Sequence, residues 1–460
     1  MSVFKRFPET FWVANTVELF ERLAYYGMNI ILALYLTQRV GFSDKEALSI
    51  SGAFILFLYF LPTFSGAIAD RIGFRKALII AFLTLFSGYF LLAIFPVKIM
   101  AIVSLVFIAI GGSFVKPTIS GSVAKLSPEG ESKLGFAIFY MIVNIGGFLG
   151  KVIVKPMRLN IGSWLRESDF EAIKSYVKTL PPYSIDSPIV RGALEKMKGF
   201  SPLQVQDILQ WQSFGMQVAC TFSALMALVA LTMVYFKFKD SSIQTGDKPS
   251  VKEVISGIVA VFKDVRFLLF ILIFAGFEIM FWQLYLAMPL YIQREISPVA
   301  PMEWLVAINP GMIMIFQLPV AKLTSRLSSL KAMALGLSIC IVSMIIMGNF
   351  PTMTGVIIAI MTFALGEMTF QPRFLEYVAS IAPKDKIGLY LGFAHIKVAV
   401  GSFLGGWIAG MLVSKYCPVE GVRNPLMLWG SFAVIGLISL FAFFIYQKVF
   451  GSLHKNGVIV

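Results

Sequence analysis

Residues 11–36 form one long apolar stretch, and inside it stands Glu18-Leu-Phe-Glu21-Arg22-Leu-Ala-Tyr25-Tyr26-Gly27. At helical spacing Glu18, Glu21, Arg22, Tyr25 and Tyr26 share one face. Three charges on a lipid-buried helix are expensive, about 2.5–3.5 kcal/mol each even on lenient insertion scales. A soluble helix with a surface ion pair would escape that cost. However, Ile30-Ile-Leu-Ala-Leu-Tyr-Leu follows directly, and similar apolar runs recur along the chain. The charged face is therefore expected to line a water-filled path through a membrane bundle and to handle charge there. An Arg flanked at i−1 and i−4 by carboxylates can change partners when one of them takes up a proton.

Composition agrees with a membrane bundle. Hydrophobic residues make up 58% and charged residues 14% of the chain, and the mean hydropathy is +0.81. The fold class read from this is an all-α polytopic membrane protein. The net charge of +14, from 39 basic and 25 acidic residues, is read as the positive-inside rule rather than nucleic-acid binding. Three cysteines without paired spacing argue against disulfides and metal clusters, and two histidines exclude a His-rich site. The first apolar run is long and carries acids, so it reads as a retained helix rather than a cleaved signal.

A window of about 19 residues gives twelve spans, near 12–36, 48–69, 77–95, 99–123, 135–157, 211–236, 267–292, 304–325, 331–350, 353–381, 388–413 and 425–447. With both termini cytoplasmic, the inner loops carry most of the bases, among them Lys5, Arg6, Arg71, Arg75, Lys76, Lys125, Lys133, Lys248, Lys252, Lys384 and Lys386. The expected organisation is five spans in 1–157, an outer helical insertion at 158–210, a sixth span at 211–237, a cytoplasmic linker at 238–266 and a six-span half at 267–460. Within the insertion a Pro-Pro pair separates two helical stretches, and Ser201-Pro202 reads as a helix cap followed by the first helical residue. The insertion could gate the bundle, recruit a partner or be a surface elaboration.

The halves look like a repeat. Gly66-Ala-Ile-Ala-Asp70-Arg71-Ile-Gly73-Phe-Arg75-Lys76 joins spans 2 and 3, and Ser325-Arg326-Leu-Ser-Ser-Leu-Lys331 is a degraded copy between spans 8 and 9. The first copy resembles the loop motif of the major facilitator superfamily. That resemblance implies two six-helix halves rocking about a central site, with this loop pinning helix ends as a gate.

Few ionisable residues lie deep outside span 1. They are Lys116 in span 4, Glu278 in span 7, Glu367 in span 10, and His395 and Lys397 in span 11. All fall near mid-depth, where lipid tolerates no lone charge, so they are functional candidates or static buried ion pairs. Tyr59, Tyr140, Asn144 and Asn309 are expected at the same depth and make a polar cavity there. No Ser/His/Asp, paired-Asp or metal constellation is visible, so neither catalytic residues nor cofactors are expected.

Glu18-x-x-Glu21-Arg22-Leu-x-Tyr25-Tyr26-Gly27 resembles the helix-1 signature of the proton-dependent oligopeptide transporter family. Lys116-Pro117, Phe139-Tyr140-x-x-x-Asn144, Phe277-Glu278, Asn309-Pro310 and Glu367-x-x-x-Gln371-Pro372 continue the resemblance in family order. It implies proton coupling through Glu18, Glu21, Arg22 and Glu278. It also implies contact with the peptide termini, and switching salt bridges, from Lys116, Glu278 and Glu367, with Tyr25, Tyr26, Asn29, Tyr59, Tyr140, Asn144, Asn309 and Lys397 around the substrate. A Lys116–Glu367 pair is expected when the site is empty.

The departures concern the substrate. Asn29 stands where the family usually has a second Arg for the peptide carboxylate, Gln371 replaces a Ser, and Lys397 is an added cation. The linker is too short and polar for the two extra spans common in bacterial members. If Lys397 neutralises Glu278 or Glu367, the site should favour less charged or carboxylate-modified substrates, which is the preferred reading. If it replaces the Arg, ordinary dipeptides should bind. The expected function is proton-driven import of small peptides or peptide-like solutes by a monomer in a bacterial inner membrane. The alternatives are an exporter or antiporter of another organic solute, and a non-transporting sensor.

Overall fold

The computed structural model describes residues 7–128, 131–239, 263–382, 390 and 393–455. Among them are α1 (Glu9–Asn29), α2 (Asp44–Phe60), α3 (Pro62–Ile72), α4 (Phe74–Ile94), α5 (Lys98–Leu126), α6 (Ser132–Leu159), α7 (Ile161–Arg166), α8 (Glu171–Lys178), α9 (Pro188–Leu194) and α10 (Pro202–Lys237). The second half holds α11 (Val265–Trp282), α12 (Ala287–Tyr291), α13 (Met302–Leu323), α14 (Ser329–Asn349), α15 (Met353–Ile381), α16 (Ile396–Tyr416) and α17 (Pro425–Lys455). Most of the linker and the bases Lys5, Arg6, Lys248, Lys252, Lys384 and Lys386 lie outside the described residues, as do the side chains of Asp70 and Lys133.

Ten of the described helices are long and apolar enough to cross a membrane. Two more spans complete twelve. The first is α1, set apart by its three charges and continued by Leu32–Leu34 and a π-helical turn, Tyr35–Val40, to Gly41 at φ 86°. The second is α2 with α3, interrupted at Leu61 before Pro62. Long apolar runs dictate this architecture, because lipid leaves the backbone no partner but its own helix. The twelve spans fall into two halves of six.

Within the first half, α1 packs against α5, α6 and α10. Glycines let it approach α6 closely. A Cβ on Gly150 would lie 3.0 Å from the Leu23 carbonyl and 3.3 Å from the Gly27 nitrogen. The halves meet along α2 with α16 and α6 with α13. The α2–α16 seam is also made of small residues: a Cβ on Gly52 would sit 2.6 Å from the Ser402 carbonyl, and one on Gly406 would strike the Leu48 carbonyl. Small residues at helix crossings are how membrane bundles gain close packing.

The two ends of the bundle differ. At the insertion end, Arg158 bonds Glu303 and the Ala300 carbonyl, Arg294 grips Asp44, and Gln38 bonds Gln293, all across the halves. At the opposite end, where Lys237 and Val265 lie, α13 has no buried residue between Pro310 and Leu323, and Leu318 and Leu323 are more than 80% exposed. On this stretch α13 keeps contact with its own half, where Gln317 donates to the Met368 carbonyl, while its remaining faces are open at the linker end.

The insertion differs in extent from the expected 158–210. Arg158 belongs to α6, and residues 202–210 are the first turns of α10, which runs 36 residues from a Ser201–Gln204 capping box. Between them α9 and the start of α10 bury Val190, Ala193, Met197, Val205 and Leu209 in a small core of their own. A cavity of about 400 Å³ lies beneath this insertion, with Gln38, Asp44, Gly192, Gln293, Arg294 and Val419 in its wall.

Candidate functional site

The site grows from α1. Its charged face is buried: Glu18, Glu21 and Arg22 are each under 5% exposed. Arg22 Nε lies 3.1 Å from Glu18 Oε1, and the guanidinium also bonds Glu21 at closer range. The rings of Tyr25 and Tyr26 lie 5.5 and 5.9 Å from the guanidinium carbon. Glycine spacing on α6 makes room for this cluster, with Gly146 against Arg22 and Gly147 against the Tyr26 ring. Two carboxylates share one guanidinium, so the trio carries one excess negative charge unless it binds a proton. Glu18 Oε2, the Tyr25 hydroxyl and Asn29 Nδ2 are buried and unbonded in this arrangement.

Two lysines face the trio's surroundings. Lys116 Nζ lies over the Tyr59 ring at 4.4 Å. Tyr59 in turn neighbours Trp282 at 6.0 Å and His395 at 6.4 Å between ring centroids, so it joins the halves. Lys151 Nζ lies 4.7 Å from the Tyr26 ring and 5.3 Å from the Tyr285 ring of the other half. Neither lysine has an ion-paired carboxylate among the described residues. Rings offer a cation about 0.5–2 kcal/mol, less than a buried carboxylate would.

The second half presents acids. Lys397 Nζ bonds Glu278 Oε1 at 2.5 Å and Gln371 Oε1 at 3.2 Å, and it lies over the Phe374 ring at 4.3 Å. Both members are under 4% exposed. Glu367 accepts from Asn309 Nδ2 at 2.8 Å. Two acids and three bases thus line the first half, and two acids and one base the second. The halves carry opposite charge across the seam, which suits a solute with an anionic and a cationic end.

The structure sorts the sequence candidates. Glu18, Glu21, Arg22, Tyr25, Tyr26, Tyr59, Lys116, Asn309, Glu278, Glu367 and Lys397 gather at the seam or directly behind it. The expected Lys116–Glu367 pair is not made: the two lie on opposite halves, and each rests on a different partner, Tyr59 and Asn309. Asn144 and Tyr140 lie about one and two turns before Gly147 on α6. Tyr140 is 62% exposed on the linker-end part of α6, and Asn144 donates to its carbonyl at 2.8 Å. In the loop between α3 and α4, Gly73 adopts φ 92°, Gly66 seats on Pro117, and Arg75 bonds the Tyr235 carbonyl at 2.6 Å, tying the loop to α10. Arg71 and Lys76 are exposed, and nothing is described of the Asp70 side chain.

Sequence reasoning missed Lys151 and the Arg158–Glu303 pair. A lysine in an apolar span is itself a signal, and Lys151 lies inside the span read at 135–157. Arg158 and Glu303 fall one residue outside the expected spans, where charges are ordinary.

The profile of the Major Facilitator Superfamily matches residues 16–164, 209–396 and 281–458. A dipeptide and tripeptide permease B of Edwardsiella piscicida is 23% identical over 94% of this chain and 92% of its own length. A dipeptide and tripeptide permease A of Escherichia coli (strain K12) is 23% identical over 96% and 90%. A solved peptide transporter POT in complex with sulfate superposes with a TM-score of 0.73 over 97% of this chain and 95% of that one, at 17% identity. The chain belongs to the major facilitator superfamily.

Proposed function

We propose that the chain imports small peptides together with protons, by alternating access, across a bacterial inner membrane with both termini in the cytoplasm. The observation that carries this is the seam: a Glu18–Glu21–Arg22 trio with one carboxylate in excess, beside halves of opposite charge. A peptide zwitterion bridges such halves with its two termini, and the trio takes up the proton. The permeases it resembles carry dipeptides and tripeptides, as their names say. The bases at the linker end, Arg71, Arg75, Lys76, Lys237, Lys263 and Arg266 among them, support a cytoplasmic linker end by the positive-inside rule. In that orientation the ion-paired insertion end faces outward and the more exposed linker end faces the cytoplasm. The whole site is built within one chain, so the monomer is the transporting unit.

One charge crossing 100 mV releases about 2.3 kcal/mol, which drives uphill uptake. The test is uptake of a dipeptide and tripeptide panel into proteoliposomes under an imposed proton gradient. Accumulation above equilibrium is expected, and Glu21→Gln should abolish it while leaving counterflow, which needs no net proton movement. Lack of gradient-driven uptake for every peptide would sink the proposal. Uphill accumulation retained in Glu21→Gln would remove that residue from the proton path.

A further inference from the structure

We infer that Lys151 of α6 is the residue that holds the substrate's carboxylate, and so sets a preference for peptides with a free C-terminus. The inference rests on the peptide reading above and extends it to a position that the helix-1 signature does not include.

Lys151 is 1% exposed, in the middle of a membrane-spanning helix. A lysine kept there for packing alone would be expected to carry a carboxylate, as Lys397 carries Glu278 at 2.5 Å. Lys151 instead has two tyrosine rings, one from each half, and no ion pair among the described residues. It is a cation held at the seam without an anion. On the opposite half Glu367 accepts from Asn309 and makes no ion pair among the described residues. A zwitterion placed between them finds a base for its carboxylate and an acid for its amine.

The neighbourhood supplies further donors. Tyr26, whose ring carries Lys151, lies one turn from Asn29 on the same face of α1. Asn29 is 3% exposed and its Nδ2 has no acceptor, and the buried Tyr25 hydroxyl also lacks a partner. Unfilled buried donors beside an unpaired cation point to an anionic acceptor. Meanwhile Lys397, the cation added in the second half, is occupied by Glu278 and Gln371. Its pairing alone would predict a site indifferent to the substrate carboxylate. Lys151 reverses that expectation.

The test is counterflow of labelled dialanine in proteoliposomes holding the full chain, with unlabelled dialanine or its C-terminal amide as competitor. The wild type should favour the free carboxylate at least ten-fold. In Lys151→Gln the ratio should fall near one through weaker dialanine binding, with the amide unchanged, and Lys151→Arg should keep the preference. An unchanged ratio in Lys151→Gln overturns the inference and leaves peptide transport standing. Should that variant fail to insert, a wild-type ratio near one, or its loss in Lys151→Arg, overturns it equally. If neither competitor acts on the wild type, the peptide reading and this inference fall together.

Discussion

The insertion end and the linker end of this bundle are built from the same twelve spans, yet they are held differently. At the insertion end the halves are joined by a buried pair, Arg158–Glu303, then by the Arg294–Asp44 fork at the surface of the seam. Outermost are three bridges from the insertion to the second half, Arg191–Glu420, Glu195–Arg423 and Lys196–Glu295. At the linker end, by contrast, no residue of α13 from Pro310 to Leu323 is buried. The closed end is thus a graded series of ion pairs, from fully buried to fully exposed. Alternating access requires every one of them to break, so each pair weights the balance between the two states according to its burial.

The deepest pair should weigh most. Arg158 and Glu303 are 2% and 0% exposed, with the Arg158 guanidinium also bonded to Gln212 and the Ala300 carbonyl. Removing one partner leaves the other charge buried alone, at a cost of about 3–5 kcal/mol. Arg158→Gln should therefore shift the equilibrium strongly toward the state open at the insertion end. Cys417 reports this directly: it is 1% exposed at that end, and its carbonyl accepts from Arg294. Labelling of Cys417 by an impermeant thiol reagent should accelerate in Arg158→Gln, and less so in Arg158→Leu/Glu303→Leu, where no charge is stranded. Unchanged labelling in the single variant would show that the pair does not hold the gate.

Arg294 and Asp44 come next. Their bidentate bonds are 2.6 Å long, and the side chains are 9% and 13% exposed. Asp44 also begins α2 behind a Ser43–Glu46 capping box, so the fork fixes a helix start as well as a seam. Charge-assisted bonds of this kind contribute about 1.5–3 kcal/mol. Asp44→Asn should raise Cys417 labelling by less than Arg158→Gln does. A larger effect from Asp44→Asn would invert the burial order proposed for this end.

Much of this could be read from the chain, for identifiable reasons. Spans follow from apolar length, and α1 was found by its charges because lipid makes them conspicuous. Lys397 and Glu278 share a half and a depth, so their pairing was within reach of the sequence. Lys116 and Glu367 are on opposite halves, and whether they meet depends on the state of the bundle, which residue order does not encode. Arg158 and Glu303 each sit at a span boundary, where a charge in water and a charge in a sealed interface look alike. Lys151 lies inside an apolar span and was overlooked although a lysine there is conspicuous. The insertion's helices were legible from its Pro-Pro break and the Ser201 cap, but its bridges to Glu295, Glu420 and Arg423 join residues far apart in sequence.

Those bridges should have the smallest effect. Arg191 bonds Glu420 through both Nε and Nη2, in the open at the rim of the insertion, while Gly192 packs on the Val419 carbonyl beside it. Exposed pairs are screened by salt and by water, so the contact orients the insertion more than it locks it. The Arg191 bond holds the Glu420 carboxyl below its usual range. A depressed acid contributes its stabilisation fully above the unfolded-state value, about 4.3, and loses it as pH falls through the lower folded-state value. The Tm of the wild type should therefore exceed that of Glu420→Gln slightly near neutral pH at low salt. The gap should close as pH falls from about 6 to about 3, because the wild-type carboxylate is then protonated and equivalent to the variant. High salt at neutral pH should narrow the same gap. Cys417 labelling in Glu420→Gln should rise less than in either buried-pair variant. A gap that ignored both pH and salt would mean that packing of Gly192 on Val419, rather than the ion pair, seats the insertion on the second half.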